Sequence, residues 1–127
     1  MKQAIQTEHS PVPTGPYSQG IRSGDYVFLA GQGPLDRATG MIPDGIQAQT
    51  HQVLRNVLGI LEAAGTSLDN VVKVTAHLAD ISDFAAFNRV YGEYFREPYP
   101  VRTTVGSQLP GILVEIDVIA EVGAGAD

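Results

Sequence analysis

Residues 112–122, with the sequence ILVEIDVIAEV, alternate between two sets of side chains along their whole length. A period of two places successive side chains on opposite faces of a β-strand. Because one set is wholly apolar, that face must be buried against another layer of structure. The chain is therefore expected to contain a β-sheet that is covered on one side. The apolar set is Ile112, Val114, Ile116, Val118 and Ala120, and the mixed set is Leu113, Glu115, Asp117, Ile119 and Glu121.

Two other segments have the apolar periodicity of helices. Apolar residues recur at intervals of three and four over residues 46–64, which predicts an amphipathic helix. A second helix is expected to begin at a cap on Ser82 or Asp83 and to end before Pro98. Its apolar stripe consists of Phe84, Phe87, Tyr91 and Phe95.

The remaining strands are predicted within residues 4–21, over 26–31, over 71–80 and within 99–110, where the sequence is YPVRTTVGSQLP. The resulting order is two or three strands, a helix, a strand, a helix and two strands. This order predicts an α+β fold with one mixed sheet and both helices on one face. The length fits one domain, residues 1–127.

Two helices can cover only one face of such a sheet. The other face is then too apolar for open water and too polar for a dry core. We therefore expect other copies of the chain to cover it in a homo-oligomer, with a polar pocket at the seam. The period of two assigns Val72, Val74, Val101, Thr103, Val105, Ile116 and Val118 to the covered face. It assigns Lys73, His77, Arg102, Thr104, Leu113, Glu115, Asp117 and Ile119 to the other.

Arg102 places a permanent positive charge inside an otherwise apolar strand. If the last two strands pair as a hairpin around residues 106–111, Arg102 and Glu115 lie on the same face. Two interpretations remain open. The more common arrangement is a plain cross-strand ion pair. The alternative is a ligand site, because the planar guanidinium group can hold a carboxylate through two parallel hydrogen bonds.

Composition excludes several classes of function. The chain has no cysteine, so disulfides, thiolate metal sites and a cysteine nucleophile are ruled out. The net charge is -6 and the basic residues are scattered, which argues against a nucleic acid partner. No apolar run approaches the roughly 18 residues that span a bilayer, and the first ten residues lack the apolar region of a secretory signal. We expect a cytoplasmic protein that does not bind membranes.

Other candidate residues carry weaker signals. His9, His51 and His77 lack the spacing of metal ligands, so no metal site is expected. The GQG at 31–33 is too short for a phosphate loop, and Gly31 is equally well explained by a plain turn or by close approach of a ligand. No histidine or lysine lies near Ser107 in the sequence to activate it as a nucleophile.

Six segments carry a more specific signal, in order and over nearly the whole chain. They are GPYSQG at 15–20, VFLAGQGP at 27–34, AAG at 63–65, DFAAFNRVYGEYF at 83–95, PVRTTV at 100–105 and LPGILVEIDVIA at 109–120. Together they resemble the RidA/YjgF family. The resemblance implies a chorismate mutase-like fold, in which three subunits enclose a barrel and the active sites lie between subunits. It also implies cofactor-free hydrolysis of enamines and imines, such as 2-aminoacrylate and 2-aminocrotonate, to 2-keto acids and ammonia.

The resemblance implies roles for individual residues. Arg102 would clamp the substrate carboxylate, and Glu115 would orient the attacking water. From the pattern alone, Tyr17 is also explained as an apolar cover of the sheet edge and Asn88 as a structural residue. The other implied site residues are Tyr17 in the pocket, Asn88 as support for the cleft, and Gly31 and Thr104, whose backbone would bond the substrate.

Two positions depart from the family pattern. Many members carry cysteine where this chain has Thr104, and serine where it has Ala30. Thiol chemistry is therefore impossible at position 104, and the preferred substrate stays open. Two other functions remain. One is a small-carboxylate-binding or chaperone-like protein that uses the same clefts without catalysis. The other is an endoribonuclease, an activity attributed to the family, which the acidic composition makes the least expected.

Overall fold

The computed structural model describes residues 1–123, so the last four residues of the predicted domain lie outside it. The described residues form a mixed six-stranded sheet and two α-helices, as predicted. Short 3₁₀ turns occupy Leu68–Asn70 and Ile81–Asp83. The elements in chain order are β1 (Gln3–Ile5), β2 (Gly20–Ser23), β3 (Tyr26–Leu29), α1 (Ile46–Ala63), β4 (Val71–Leu78), α2 (Phe84–Tyr91), β5 (Val101–Gly106) and β6 (Val114–Glu121).

The strand order across the sheet is β1-β2-β3-β6-β4-β5. β6 is antiparallel to both of its neighbours, β3 and β4, whereas β5 is parallel to β4 at the edge. The predicted hairpin of β5 and β6 is therefore wrong. The reason is that α2 connects β4 to β5, and a helical crossover allows two consecutive strands to pair in parallel. β6 then pairs on the opposite side of β4.

Both helices pack on the same face of the sheet, where they enclose the core. The apolar set of β6 is buried there as predicted, from Val114 to Ala120. α1 packs on β6 and on α2. Burial of its apolar stripe is what stabilises this helix, because packing of an amphipathic face outweighs helix propensity. The stripe consists of Val53, Leu54, Val57, Ile60 and Leu61, all fully buried.

The predicted orientation of β5 is also wrong. Arg102 lies beside Val74 in the register of β4 and β5, and Thr104 lies beside Ala76. Val74 and Ala76 are buried under the helices, and laterally paired residues point to the same face. Arg102 and Thr104 therefore lie on the covered side. The sequence VRTTV has no wholly apolar set, so its period alone cannot decide which side faces the helices.

Two smaller predictions also need correction. A register irregularity between Val71 and Lys73 buries Val71 and exposes Val72, which was expected on the covered face. α2 ends before Pro98 as predicted, but it ends at Tyr91 and does not reach Phe95, the last residue of its expected stripe. Asp83 is the N-cap residue of α2, one of the two predicted positions, but its side chain forms no capping bond. Asp80 caps the 3₁₀ turn before α2: its Oδ1 accepts bonds from the backbone N–H of Ser82 at 2.9 Å and from the Ser82 hydroxyl at 2.7 Å.

The side of the sheet away from the helices is called the open face below. A row of side chains crosses it from Ile21 through Phe28, Ile119 and Lys73 to Val101. Phe28 is 44% exposed and Val101 is 66% exposed. The predicted mixture of apolar and polar side chains is therefore present on this face, but β5 contributes Val101, Thr103 and Val105 to it instead of Arg102 and Thr104. Other members are Tyr26, Thr75, His77, Glu115, Asp117 and Glu121.

Candidate functional site

The predicted site residues fall into two separate groups. The first group lies around Glu115 and the second around Arg102. Arg102 of β5 pairs with Val74 of β4, which in turn pairs with Val118 of β6, and all three lie on the covered side. Glu115 lies three residues before Val118 in β6, on the open face. The two Cα atoms are roughly 14 Å apart by strand geometry. One chain therefore does not bring Arg102 and Glu115 together, contrary to the prediction from the hairpin.

Glu115 lines a pocket of about 320 Å³, called the Glu115 pocket below. Tyr17 and Gly31 line the same pocket, so three predicted site residues do meet. The volume is at the lower end of that of small-molecule sites. Its other walls are mostly apolar and come from the N-terminal loop, from the connection between β3 and α1, and from the segment before β6. They include Val12, Pro13, Leu35, Ile42, Pro110 and Ile112.

Gly31 leaves the space that the Glu115 side chain occupies. A Cβ atom at position 31 would lie 2.9 Å from Cδ of Glu115 and 3.1 Å from its Oε2. The backbone here is irregular, because three residues separate Phe28 from Gln32 whereas only two separate their partners Ile116 and Ile119 in β6. Glycine at position 31 is therefore explained by the close approach of a carboxylate to the backbone.

Tyr17 is 49% exposed at the mouth of the Glu115 pocket. Its hydroxyl accepts a bond of 3.2 Å from the backbone N–H of Thr14. The loop is anchored by Gln19, a buried residue that sequence reasoning missed as a support. The Gln19 amide donates to the carbonyls of Thr7, Ser10 and Pro11 and accepts from the Thr7 N–H. The glutamine inside GPYSQG was the available signal.

Two amides of α1 hold the other walls of the pocket. Gln49 donates to the carbonyl of Pro43 at 3.0 Å and accepts from the N–H of Leu113 at 2.8 Å, so it links two of the lining segments. Asn56 donates to the carbonyls of Gly33 and Leu35, both at 2.9 Å. Sequence reasoning considered only the apolar stripe of this helix and missed both amides. Buried amides satisfied in this way fix the loop conformation.

Replacing Asn56 with alanine is expected to destabilise the protein by about 3 kcal/mol. Asn56 is 1% exposed, and the change removes both bonds to the loop and the bond of 3.0 Å that it accepts from Gln52. Denaturant unfolding measures the loss. Gln47→Ala, an exposed change on the same helix, is the control and should stay within about 0.5 kcal/mol of the native protein. Equal stability of the two variants would contradict this prediction.

The second group is built on α2. The Cζ atom of Arg102 lies 4.6 Å from the ring centroid of Tyr91, 5.5 Å from that of Phe87 and 5.6 Å from that of Phe84. These three rings are called the α2 aromatic cluster below. All three distances are within the range of cation–π attraction. Within residues 1–123 no carboxylate lies at ion-pairing distance from Arg102. The cross-strand ion pair with Glu115 is therefore not formed.

Within residues 1–123, two hydroxyl groups on this side are buried without a partner in hydrogen-bond geometry. They are the Oη of Tyr91 and the Oγ1 of Thr104. Burial raises the pKa of the Tyr91 hydroxyl, and the positive charge of Arg102 beside it opposes this shift only in part. Asn88 is half-buried one turn earlier on α2, so it belongs to the Arg102 group and not to the Glu115 pocket.

The open face also carries a cluster of polar side chains whose proximity was not predicted from the sequence. The Nδ1 of His77 lies 2.7 Å from the hydroxyl of Ser107, although thirty residues separate them. His77 is paired with Glu115 across β4 and β6, and Thr75 is paired with Asp117. Burial raises the pKa of the Asp117 carboxyl, and the nearby His77 and Lys73 oppose the shift.

Replacing Asp117 with asparagine is expected to stabilise the protein at neutral pH. The raised pKa means that the folded chain carries the charged carboxylate at a cost once the pH exceeds that pKa. Below the ordinary value of 3.8 both folded and unfolded forms are protonated, so the advantage of the variant should vanish there.

Thermal unfolding of the native protein and Asp117→Asn between pH 3 and pH 7 measures this effect. The two melting temperatures should converge at acidic pH and separate as the pH rises. Asp44→Asn, on an exposed loop, is the control and should follow the native protein throughout. A variant that is less stable than the native protein at pH 7 would show that the Asp117 charge is favourable in the folded state.

Two other features are absent from residues 1–123. No three His, Asp or Glu side chains in this range are close enough to hold a metal ion. No helix in the same range is long and apolar enough to span a membrane.

Comparison with known proteins identifies the family. The family model described as Endoribonuclease L-PSP matches residues 7–122. The chain belongs to this family, the RidA/YjgF family. A RutC family protein of Pyrococcus horikoshii is 54% identical over 123 residues, covering 94% of this chain and 98% of its relative. The resemblance inferred from the six sequence segments is confirmed.

One relative has a description that concerns chemistry. TdcF of Escherichia coli is 41% identical over 125 residues, covering 94% of this chain and 97% of TdcF, and carries a provisional description as a reactive intermediate deaminase. A solved structure of TdcF with bound serine has a TM-score of 0.89, at 40% identity, and covers 94% of this chain and 98% of that one. RidA from a Psychrobacter species has a TM-score of 0.90 at 42% identity, with coverage of 94% and 98%. The RidA/YjgF fold is thereby established for this chain.

Proposed function

We propose that this protein hydrolyses 2-imino acids and their enamine tautomers, of the 2-aminoacrylate and 2-aminocrotonate class, to 2-keto acids and ammonia without a cofactor. The observation that carries the proposal is the state of Arg102. Arg102 is half-buried, and its guanidinium group lies over aromatic rings and has no carboxylate partner within residues 1–123. Its donors are therefore available to a carboxylate from outside the chain.

Glu115 supplies the other half of the chemistry in this proposal. An enamine first takes a proton on carbon to become an iminium ion. The water held by Glu115 then adds to the iminium carbon while the carboxylate accepts a proton from it. The nitrogen of the resulting carbinolamine then takes up a proton from the Glu115 carboxyl group. As the C–N bond breaks and ammonia leaves, the hydroxyl group gives its proton to the Glu115 carboxylate and the C=O double bond forms. Because an iminium carbon is already electrophilic, orientation of the water and the substrate accounts for most of the required catalysis.

The separation of Arg102 from Glu115 supports a site shared between two copies of the chain. A small imino acid cannot bridge roughly 14 Å through a sheet, so one substrate can contact both groups only if they come from different copies. The open face, with its exposed Phe28 and Val101, offers the surface for the second copy. We propose a homotrimer with intersubunit sites, in which Tyr17, Gly31 and Glu115 of one copy face Arg102 and Thr104 of the next.

Mixing two inactive variants tests the shared site directly. Arg102→Ala and Glu115→Gln should each be inactive alone, whereas mixed oligomers from co-expression should recover about one quarter of native activity, because random mixing reunites a native arginine with a native glutamate at that frequency. Mixed oligomers with no recovery would contradict the shared site. A monomeric mass in sedimentation at micromolar concentration would contradict the assembly itself.

A matched pair of surface changes tests which face forms the interface. Phe28→Glu places a charge on the open face and is expected to yield monomers. Met41→Glu alters another exposed apolar residue outside the sheet and should leave the assembly intact. An unchanged mass for Phe28→Glu would exclude the open face as the interface.

The second candidate is a protein that binds small carboxylates without turnover. It is favoured by the same free guanidinium group and by the serine bound in the structure of TdcF, a relative. An endoribonuclease activity would agree with the description of the family model. The net charge of -6 argues against it, because a nucleic acid backbone would be repelled.

One experiment separates these functions. An amino acid oxidase generates imino acids in solution, and the release of 2-keto acid is followed with and without the native protein. A deaminase accelerates the release in proportion to protein concentration. A binder leaves the rate unchanged but takes up 2-oxobutanoate in calorimetry. Absence of both acceleration and binding would exclude both candidates, and cleavage of an RNA substrate would then favour the endoribonuclease.

A further inference from the structure

We propose that Tyr91 is a positioning residue for Arg102: the face of its ring fixes the direction in which the guanidinium group presents its donors to a substrate carboxylate. The inference rests on the proposed function and deepens it. No signal in the sequence pointed to this role, because Tyr91 belongs to the apolar stripe of the second helix and was expected only in the core.

Tyr91 is the nearest and most constrained ring of the α2 aromatic cluster. Its centroid is 4.6 Å from Cζ of Arg102, about 1 Å nearer than those of Phe84 and Phe87. Tyr91 is only 8% exposed, whereas Phe84 is on the surface. It is stacked on Phe95 at 4.4 Å and 25°, and tilted against Phe87 at 5.6 Å. A ring held on both sides cannot turn away from the guanidinium group.

An arginine side chain with no ion pair normally samples many rotamers, and ordering it on binding costs free energy. Arg102 has no carboxylate partner within the described part of the chain. Stacking on a fixed ring restricts the side chain before the ligand arrives and leaves the donors at the edge of the guanidinium plane free. Tyr91 therefore reduces the ordering cost of substrate binding.

The hydroxyl of Tyr91 is not required for this role. It is sealed from solvent, so a ligand of the surface site does not reach it, and Arg102 acts on it mainly through its charge, because within residues 1–123 no group meets hydrogen-bond geometry with it. Phenylalanine would present the same ring face without burying an unpartnered hydroxyl. The conservative variant Tyr91→Phe should therefore retain the positioning, whereas Tyr91→Leu should lose it at similar apolar volume.

The test compares three variants of the full chain. Tyr91→Leu is expected to raise the KM for the imino acid and the Kd for 2-oxobutanoate about tenfold, with kcat changed less than about threefold. Tyr91→Phe should stay within about threefold of the native protein in both constants. Val90→Ala is the structural control, because Val90 is buried next to Tyr91 on α2; it should lower the melting temperature without raising KM or Kd.

Nuclear magnetic resonance of the Arg102 Nε–H group supplies a readout that does not depend on activity. The ring-current shift of this signal should be present in the native protein and Tyr91→Phe and lost in Tyr91→Leu.

Three outcomes are decisive. If KM, Kd and the shift are all unchanged in Tyr91→Leu, the inference is overturned; turnover by the native protein would still support the proposed function. Equal defects in Tyr91→Phe and Tyr91→Leu also overturn it, because the hydroxyl would then carry the effect. A native protein without turnover or binding but with the predicted shifts refutes the proposed function and retains the positioning.

Discussion

Replacing Arg102 with alanine is expected to lower kcat/KM for imino acid hydrolysis by roughly 10²- to 10³-fold, since two charge-assisted hydrogen bonds to the substrate carboxylate are lost. The Kd for 2-oxobutanoate should rise by a similar factor, because the product carries the same carboxylate. The fold should persist, as the side chain is half-buried and its main contacts are the rings of α2. Steady-state kinetics and calorimetry measure the two constants.

Two controls refine this prediction. Arg102→Lys keeps the charge but loses the planar pair of donors, so it should recover only a small part of the affinity. Arg89→Ala removes an exposed arginine from α2 and should behave as the native protein. Full activity of Arg102→Lys would mean that charge alone is sufficient, and full activity of Arg102→Ala would falsify the role of Arg102 in the reaction.

Replacing Glu115 with glutamine is expected to lower kcat by roughly 10²- to 10³-fold, because the amide cannot accept a proton from the attacking water. The Kd for 2-oxobutanoate should change little, since Arg102 holds the carboxylate. The two variants therefore differ in kind: loss of Arg102 weakens binding, and loss of Glu115 slows chemistry. Single-turnover kinetics combined with calorimetry distinguishes the two.

The control for Glu115 lies on the same strand. Glu121→Gln changes an exposed carboxylate near the end of β6, outside the Glu115 pocket, and should leave kcat unchanged. A kcat of Glu115→Gln equal to the native value would assign the activation of water to another group. A large rise in Kd for Glu115→Gln would instead indicate that the carboxylate shapes the binding site.

The elements that the sequence predicted well have strongly one-sided patterns. The long helix was expected over 46–64 and is observed as Ile46–Ala63, and the apolar set of β6 is buried from Val114 to Ala120. In both cases one face is apolar throughout, so only one orientation avoids exposing a large apolar area. Local periodicity is then sufficient to predict the burial.

The predictions that failed concern β5, whose pattern is two-sided. VRTTV offers a threonine and a charged residue on one face and apolar and hydroxyl residues on the other. The face of Arg102 is decided by pairing with Val74 in β4, a contact between residues 28 positions apart. The α2 crossover that makes this pairing parallel is a property of the whole fold. Burial energy of β5 alone does not distinguish the two orientations.

The support of the site was hidden in the sequence for a related reason. Gln19, Gln49 and Asn56 form hydrogen bonds with backbone groups of loops outside their own strand or helix, and no local pattern marks such partners. The partnership of Ser107 with His77 is another case, since each residue looked isolated in its own segment. Polar contacts of this kind depend on loop positions that only the packed chain defines.

The sequence by itself determined the α+β composition, the covered face of β6, the absence of thiol chemistry and the residue types available to a site. The tertiary structure decided that Glu115 and Arg102 lie on opposite sides of the sheet, that the Glu115 pocket contains Tyr17 and Gly31, and that Arg102 lies over the α2 aromatic cluster. The physical reason is that side-chain periodicity is encoded locally, whereas strand order and register are set by long-range pairing and by the crossover helix.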